Sequence, residues 1–159
     1  MSGALRIRAG EADEPGDAAT IVEFQLRMAR ETEGLELDRD TLIRGVAAVL
    51  ADAAKGSYWL AERAGDGTGQ IVGSLLTTFE WSDWRDGTVL WIQSVYVVPE
   101  ERGRGVYRAL YEHLKRRVEE DPGLKGLRLY VDRRNAAAQR VYERLGMSRE
   151  HYELFEWLK

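Results

Sequence analysis

The chain reads Val97-Val98-Pro99-Glu100-Glu101-Arg102-Gly103-Arg104-Gly105-Val106-Tyr107 at the point where a predicted strand ends and a predicted helix begins. Glycines let the backbone turn tightly there and aim its N–H groups at a ligand, while a helix N-terminus carries about half a positive charge. Arg102, Arg104 and Arg108 add positive charge to a chain whose net charge is −4. The stretch indicates a pyrophosphate cradle, although a tight turn with solvated arginines has the same sequence features.

Two other kinds of phosphate loop fit this stretch poorly. A Walker-type loop is excluded because no Lys-Ser or Lys-Thr pair follows the glycines. A dinucleotide-binding turn would use Gly103 and Gly105 as its first two glycines and Asp132 at the end of the next strand. Its third small residue is missing, since Arg108 stands where a helix must pack closely on a strand. Nicotinamide or flavin binding is therefore disfavoured.

Upstream of the loop, alternating apolar residues predict a set of antiparallel strands and two helices. We expect Asp17 to cap the first helix, a second helix to begin near Asp38, and Gly56 to end it. The predicted strands cover residues 5–9, 58–64, 71–79 and 89–98, with a glycine-rich hairpin over residues 65–69.

Downstream of the loop the pattern changes to helix, strand, helix. Asp121-Pro122-Gly123 should end the first of these helices, Leu127 to Val131 should form a strand, and Ala138 to Leu145 carry the apolar stripe of a last helix. The tail from Met147 to Trp157 alternates loosely and is expected to close the sheet. The whole chain, residues 1–159, is predicted to be one α/β (α+β) domain with a mixed, mostly antiparallel sheet flanked by helices.

The amino-acid composition excludes or disfavours several classes of function and cofactor. The 159 residues of this 18.1 kDa chain suffice for one core, and no apolar run or leader pattern marks a membrane or secreted protein, so a cytoplasmic protein is expected. Zero cysteines exclude disulfides, cysteine-ligated zinc and a thiol nucleophile. Two histidines make a metal site unexpected. With 23 basic and 27 acidic residues, nucleic-acid binding is disfavoured too.

A second segment, Asn135-Ala136-Ala137-Ala138-Gln139-Arg140-Val141-Tyr142-Glu143-Arg144-Leu145-Gly146-Met147, has the form Asn-x-x-Ala-x-x-x-Tyr-x-x-x-Gly-Met. In this order and spacing, the two segments resemble the GNAT superfamily of N-acetyltransferases from about Val89 to Met147. The resemblance implies a splayed sheet that grips acetyl-CoA, with its pyrophosphate on backbone amides of residues 102–107 and its pantetheine arm along the end of the preceding strand. Tyr107 departs from the family loop, which has Gly or Ala there.

The resemblance also implies roles for individual residues. Tyr142 matches the family's general acid, which gives a proton to the departing sulfur, and a backbone N–H near Val97 is the expected oxyanion donor. Tyr142 also shares a face with Ala138 and Leu145, so a purely structural place in the core is the alternative. Asn135 should cap the last helix. The cofactor-binding residues implied are Tyr96, Val97, Arg102, Gly103, Arg104, Gly105, Val106, Tyr107, Asn135 and Ala138.

The residues that bind and deprotonate the amine acceptor are less well determined by the sequence than those for the cofactor. Gln93 stands where the diamine and polyamine branch of the superfamily has a carboxylate, and an amide cannot take a proton from an amine. The remaining candidates for the base are Glu31, Glu33, Glu80 and Asp83. Two tryptophans with nearby acids could bind a cationic amine, or they could pack on the first helices or on a partner subunit. The predicted substrate-binding residues are Glu33, Glu80, Trp81, Asp83, Trp84 and Gln93.

The leading hypothesis is an acetyl-CoA-dependent N-acetyltransferase. It would act on a primary amine of a small molecule or peptide by direct attack in a ternary complex. The alternative is an acyl-CoA-binding regulatory or interaction module without turnover, suggested by Gln93, Tyr107 and the tryptophan-rich loop. Homodimers are common in the superfamily that the chain resembles, and the final strand is a place where one could form; no membrane or nucleic-acid partner is expected.

Overall fold

A computed structural model of the chain describes residues 4–64 and 69–159. They form, in chain order, β1 (Leu5–Ala9), α1 (Asp17–Glu33), α2 (Arg39–Ala51), β2 (Ser57–Arg63), β3 (Gln70–Ser82), β4 (Gly87–Val97), α3 (Val106–Glu120), β5 (Leu124–Arg128) and α4 (Ala136–Arg144). Short 3-10 turns at Asp83–Arg85 and Pro99–Glu101 flank β4. The chain divides into two compact units, Met1–Arg128 with all five strands and Leu129–Lys159 with α4. Among the helices described, none is long and apolar enough to cross a membrane.

The first unit is built on a mixed sheet with the strand order β1-β2-β3-β4-β5. Neighbouring strands are antiparallel except β4 and β5, which are parallel. This confirms the predicted mixed, mostly antiparallel sheet. β5 pairs with β4 only from Thr88 to Trp91. Residues 92–97 of β4 therefore extend past the end of β5, and the sheet opens along that edge.

Helices cover both faces of this sheet. Alternate residues of β2 point to opposite faces and therefore contact different helices. Tyr58 and Leu60 pack under α1 and α2, whereas the ring of Trp59 lies 4.8 Å from the ring of His113 on α3. The core on the α1 and α2 side consists of Ile21, Val22, Leu26, Val46, Tyr58 and Leu60. The sheet thus holds α3 on one face and α1 on the other.

The helix starts were predicted with mixed success. Asp38 caps α2 as predicted, since its carboxylate accepts a hydrogen bond from the Thr41 N–H at 2.8 Å. The cap predicted at Asp17 was wrong, because Gly16 is the N-cap of α1 and Asp17 is its first residue. The Asp17 carboxylate is fully buried and binds Arg8 at 2.6 and 2.8 Å and the Glu11 N–H at 3.0 Å. A buried ion pair uses the carboxylate that a cap would have needed.

Two element boundaries differ from those predicted, and one predicted hairpin lies partly outside the described residues. α2 ends at Ala51, and Gly56 lies between α2 and β2, outside the helix it was predicted to end. The predicted glycine-rich hairpin includes residues 65–68, which lie outside the described residues, but the flanking strands pair antiparallel as predicted. β5 begins at Leu124, three residues earlier than predicted, because the Asp121 turn leads straight into it and the Leu124 N–H donates to the Asp121 carbonyl.

The strand predicted over the tail is wrong for the structure described. Residues 146–159 contain no strand, and Tyr152 and Trp157 are almost fully exposed. A strand needs one consistent apolar face, and the adjacent Leu154 and Phe155 break the two-residue period. The loose alternation in this tail therefore did not define a sheet register.

Candidate active site

A bulge in β4 shapes the open edge of the sheet. Tyr96 pairs with Ser74 and Gln93 pairs with Leu76, so two β4 residues, Ser94 and Val95, stand opposite one residue of β3. Ser94 adopts the left-handed conformation with φ of 52°. Such a bulge bends the strand and increases its twist, and bulges are common beside active sites. Here the bulge lies within residues 92–97, the part of β4 that extends past the end of β5.

Val97, the last residue of β4, turns its backbone groups toward this open edge. The Val98 N–H donates to the Val72 carbonyl at 3.0 Å, which makes the neighbouring pair of Val97 and Gly73 a non-hydrogen-bonded pair. The N–H and C=O of Val97 therefore point away from β3. In agreement, the Val97 carbonyl accepts a hydrogen bond from Arg102 Nε at 2.9 Å. The Val97 N–H thus points toward the open edge of the sheet, and its role as oxyanion donor stays a prediction.

The start of α3 provides a cluster of backbone donors beside Val97. The first N–H groups of a helix lack intrahelical acceptors. The N-cap of α3 is Gly105, so no side chain caps the helix, and its first turn contains no acid. Gly103 and Gly105 have φ of 74° and 81°, in the left-handed region that favours glycine. The buried side chain of Val106 fixes the helix start against β3.

Two residues predicted for the cradle contribute differently from the glycines. The Arg104 N–H already donates to the Glu101 carbonyl, at 3.3 Å, and the exposed Arg104 side chain lies 3.5 Å from the Glu101 carboxylate. Tyr107 is the second residue of α3, and its ring centroid lies 6.4 Å from that of Tyr111, on the next turn. The tyrosine in place of the family's Gly or Ala therefore packs along its own helix.

A cavity of about 540 Å³ lies where the C-terminal end of α1 meets the end of β4; its lining residues are Met28, Glu31, Thr32, Val95, Tyr96, Val97, Pro99 and Arg102. Inside it, the Glu31 carboxylate accepts hydrogen bonds from the Tyr96 hydroxyl at 3.0 Å and from Arg102 Nη2 at 2.5 Å. The hydrogen bond from Arg102 is the main reason that the pKa of Glu31 lies below its ordinary value. Burial, and then Glu31, raise the pKa of Tyr96.

A polar cluster continues along the same face of the sheet. Trp91 Nε1 donates to Glu80 Oε2 at 3.0 Å, and Arg128 Nη1 donates to the same oxygen at 2.7 Å. The hydrogen bond from Trp91, followed by that from Arg128, lowers the pKa of Glu80, which makes this carboxylate a poor proton acceptor. Nearby, Gln93 Nε2 donates to Thr78 Oγ1 at 2.7 Å. Glu80 and Gln93 therefore lie on the same face of the sheet, and their role in acceptor binding stays a prediction.

Trp91 and Arg128 were missed by the sequence analysis. Trp91 stands two residues before Gln93 in one strand, and that spacing alone could have placed both side chains on one face. Arg128 reaches Glu80 because β5 pairs with β4 opposite Trp91. That parallel pairing is a long-range contact with no local sequence signal.

The other predicted acceptor residues lie apart from this cluster. Trp81 follows Glu80 in β3, so it points to the opposite face, and it is 65% exposed. Trp84 lies in the turn before β4, is 90% exposed, and donates its N–H to the Asp83 carboxylate at 2.9 Å. Glu33 is the exposed last residue of α1. A role for these four residues in acceptor binding stays a prediction.

The second unit contains the remaining predicted residues. The Asn135 side chain accepts a hydrogen bond from the Ala138 N–H at 3.0 Å, which confirms that it caps α4. Tyr142 lies half-buried on the same helix, and burial raises the pKa of its hydroxyl above the ordinary value. The phenol therefore stays protonated at neutral pH. Nowhere in residues 4–64 and 69–159 do three His, Asp or Glu side chains cluster as metal ligands would.

An open strand end thus lies next to a glycine loop at an uncapped helix start, whose backbone N–H groups favour an anionic ligand. Residues 20–147 match the Acetyltransferase (GNAT) family. The chain belongs to this family of acetyltransferases. The resemblance found in the two sequence segments is thereby confirmed.

Several proteins similar to this chain are named acetyltransferases, in agreement with its membership of the family. A structure named "possible acetyltransferase" from Clostridium difficile 630 is 39% identical, with a TM-score of 0.87, covering 98% of this chain and 97% of the other. A "predicted acetyltransferase with acetyl-CoA" from Clostridium acetobutylicum is 20% identical with a TM-score of 0.69, covering 98% and 95%, and shows the shared fold. Mycothiol acetyltransferase of Thermobispora bispora is 39% identical over 102 residues, which span 58% of this chain and only 30% of that relative.

Proposed function

We propose that the chain transfers the acetyl group of acetyl-CoA to a primary amine of a small molecule or peptide, by direct attack in a ternary complex. The observation that carries the proposal is the position of the outward backbone groups of Val97 beside the uncapped N-terminus of α3. Acetyl-CoA supplies an activated thioester, a pyrophosphate and an arm that contains amides. The glycine loop fits the pyrophosphate, and the end of β4 fits the arm.

The fit to the pyrophosphate rests on the glycine loop. Gly103 and Gly105 hold left-handed conformations, and a Cβ built on either would meet no atom within 4 Å. The glycines are therefore needed for backbone shape, and the space beside them is open to a ligand. The N–H groups of residues 106–108 and the positive end of the helix favour an anion there. The ring of Tyr107 packs along α3, with its centroid 6.4 Å from that of Tyr111.

The fit to the arm and the reacting carbonyl rests on β4. An extended amide chain can pair with unpaired strand backbone, as in strand addition to a sheet edge. The N–H of Val97 would donate to the thioester oxygen as negative charge develops there. Tyr142 would give its hydroxyl proton to the departing sulfur, and the raised pKa keeps that proton available at neutral pH.

The acceptor is proposed to be a cationic amine because two carboxylates lie on the α1 face of the sheet, Glu31 in the cavity at the end of β4 and Glu80 opposite Val89, where β4 pairs with β5. An alkylamine has a pKa near 10.4 and must lose a proton before it attacks. Gln93 has no basic atom, and both Glu31 and Glu80 are held by two donors each, so Glu31 is preferred on position alone, because it lines the same cavity as Val97. The absence of cysteine excludes an acyl-thiol intermediate on the protein.

The test is thiol release from acetyl-CoA across a panel of alkylamines, diamines, amino sugars, amino acids and short peptides. We expect release with cationic primary amines and formation of the N-acetyl product by mass spectrometry. Tight binding of acetyl-CoA with no release across the panel would favour the acyl-CoA-binding module. Failure to bind acetyl-CoA would overturn both readings.

A further inference from the structure

The guanidinium of Arg102 holds two groups that the proposed reaction needs. Its Nη2 donates to Glu31 Oε2 at 2.5 Å, and its Nε donates to the Val97 carbonyl at 2.9 Å. It also lies 5.5 Å from the centre of the Tyr96 ring. The Arg102 side chain therefore donates hydrogen bonds both to the carboxylate in the cavity and to the backbone carbonyl at the open end of β4.

The ion pair of Arg102 with Glu31 is weak enough for another anion to replace Glu31. The two side chains are 49% and 38% exposed, and ion pairs this accessible to water are worth little. Arg102 is also the first residue of the glycine loop, directly before Gly103. A pyrophosphate bound at that loop would be a second anion for the same guanidinium, which binds carboxylates and phosphates alike through paired N–H groups.

We propose that Arg102 exchanges Glu31 for a phosphate of the acyl donor, and that this exchange exposes the Glu31 carboxylate and the Val97 carbonyl to the substrates. This inference rests on the proposed function, because it requires an acyl donor with phosphates on the loop. The ammonium group of the acceptor then takes the position that the guanidinium holds against Glu31. Donor binding thereby creates the acceptor site.

The surroundings of Glu31 support this order of events. After the exchange the carboxylate keeps the hydrogen bond from the Tyr96 hydroxyl, and the charge of Arg27 remains close by. The hydrogen bond from Arg102 is the largest cause of the lowered pKa of Glu31, so its loss makes Glu31 a stronger base. The group that would accept the amine proton is therefore more basic with the donor bound than without it.

A double-mutant cycle on acetyl-CoA affinity, measured by isothermal titration calorimetry, tests the exchange. Glu31→Gln frees Arg102, and we expect acetyl-CoA to bind about two- to fivefold more tightly, as the loss of an exposed ion pair allows. Arg102→Gln should weaken binding. In the Arg102→Gln background, Glu31→Gln should have no effect. The matched control is Glu36→Gln, which removes an equal charge from an exposed pair with Arg30 and should change nothing.

The outcomes separate the inference from the proposed function. If Glu31→Gln leaves acetyl-CoA affinity unchanged, weakens it, or acts equally in both backgrounds, the exchange is overturned while the proposed function stands. If the unmodified protein binds no acetyl-CoA, the proposed function falls and the exchange falls with it. A carbon-13 NMR titration of the Glu31 carboxyl gives a second readout. Its pKa should rise when acetyl-CoA is added, and a constant pKa would contradict the exchange.

Discussion

Gly73 on β3 and Val106 at the start of α3 are in direct contact, so that a Cβ built on Gly73 would lie 2.9 Å from Val106 Cγ1. The same Cβ would lie 3.1 Å from the carbonyl oxygen of Tyr96. A bare backbone at position 73 thus sets how closely the start of α3 approaches the end of β4. The spacing between the proposed cradle and the open strand edge depends on this glycine.

Gly73→Ala should therefore damage both stability and donor binding. Overpacking of this kind costs about 1–3 kcal/mol, which urea unfolding can measure. Displacement of α3 should also weaken acetyl-CoA binding by about tenfold or more, equivalent to ~1.4 kcal/mol. Gly126→Ala on β5 is the control, because a Cβ there meets nothing within 4 Å. Equal behaviour of the two variants would contradict the role given to Gly73.

The N-cap glycine of α3 gives a second prediction. Gly105 has φ of 81°, and an L-residue in that conformation costs about 1–2 kcal/mol. In Gly105→Ala we expect either strain or a rotated loop, and in both cases weaker acetyl-CoA binding by calorimetry. Gly45→Ala lies inside α2 with open space around it and should stabilise the protein by about 1 kcal/mol. Unchanged acetyl-CoA affinity in Gly105→Ala would argue against the cradle.

Removal of one oxygen tests the proposed general acid. Tyr142→Phe keeps the ring on α4 and should lower kcat by about 10²–10⁴-fold, with acetyl-CoA affinity nearly unchanged. Tyr152→Phe, at a tyrosine in the same unit that is 81% exposed, is the matched control. Steady-state kinetics together with calorimetry make the comparison. A normal kcat in Tyr142→Phe would assign the residue to packing alone.

The buried pair of Asp17 and Arg8 predicts a pH dependence of stability. Burial alone would raise the pKa of Asp17, but the hydrogen bonds from Arg8 and the Glu11 N–H outweigh it and lower that pKa. A lowered carboxyl pKa contributes stability that is complete above the unfolded value near 3.9 and disappears as pH falls through the folded value. Breaking such a buried pair costs about 3 kcal/mol.

Asp17→Asn should consequently lower the free energy of unfolding by about 3 kcal/mol at pH 7, and the difference from the unmodified protein should shrink below pH ~4. Urea unfolding at several pH values measures it. Asp13→Asn removes an equal charge from an exposed site in the preceding loop and should have little effect. A difference that stays constant down to pH ~2 would show that Asp17 acts through shape and not through charge.

Local signals were enough for most of the fold. β1 has the predicted bounds, and Asp38 and Asn135 cap their helices, because alternation and capping act within a few residues. Asp17 was misread since its partner, Arg8, lies on another element. A carboxylate before an apolar stripe has the same sequence pattern whether it caps a helix or enters a buried ion pair.

In the candidate site, too, the parts that are contiguous in sequence were predicted and the contacts between distant residues were not. The glycine loop and the two segments around it were visible because they are contiguous. The link from Glu31 to Tyr96 spans 65 positions and that from Glu80 to Arg128 spans 48, so only the folded sheet brings these partners together. The bulge at Ser94, which turns the end of β4, has no glycine to mark it in the sequence.

The most direct test of the central claim is a thermal-shift comparison of the protein alone with the protein plus acetyl-CoA, NAD or NADP. A ligand at about 100 times its Kd stabilises by ~2.7 kcal/mol, which should raise Tm by roughly 5 to 10 °C for a chain of this size. We predict that shift with acetyl-CoA and none with the nicotinamide coenzymes. A shift with NAD or NADP and none with acetyl-CoA would contradict the cradle and the roles given to Val97 and Tyr142.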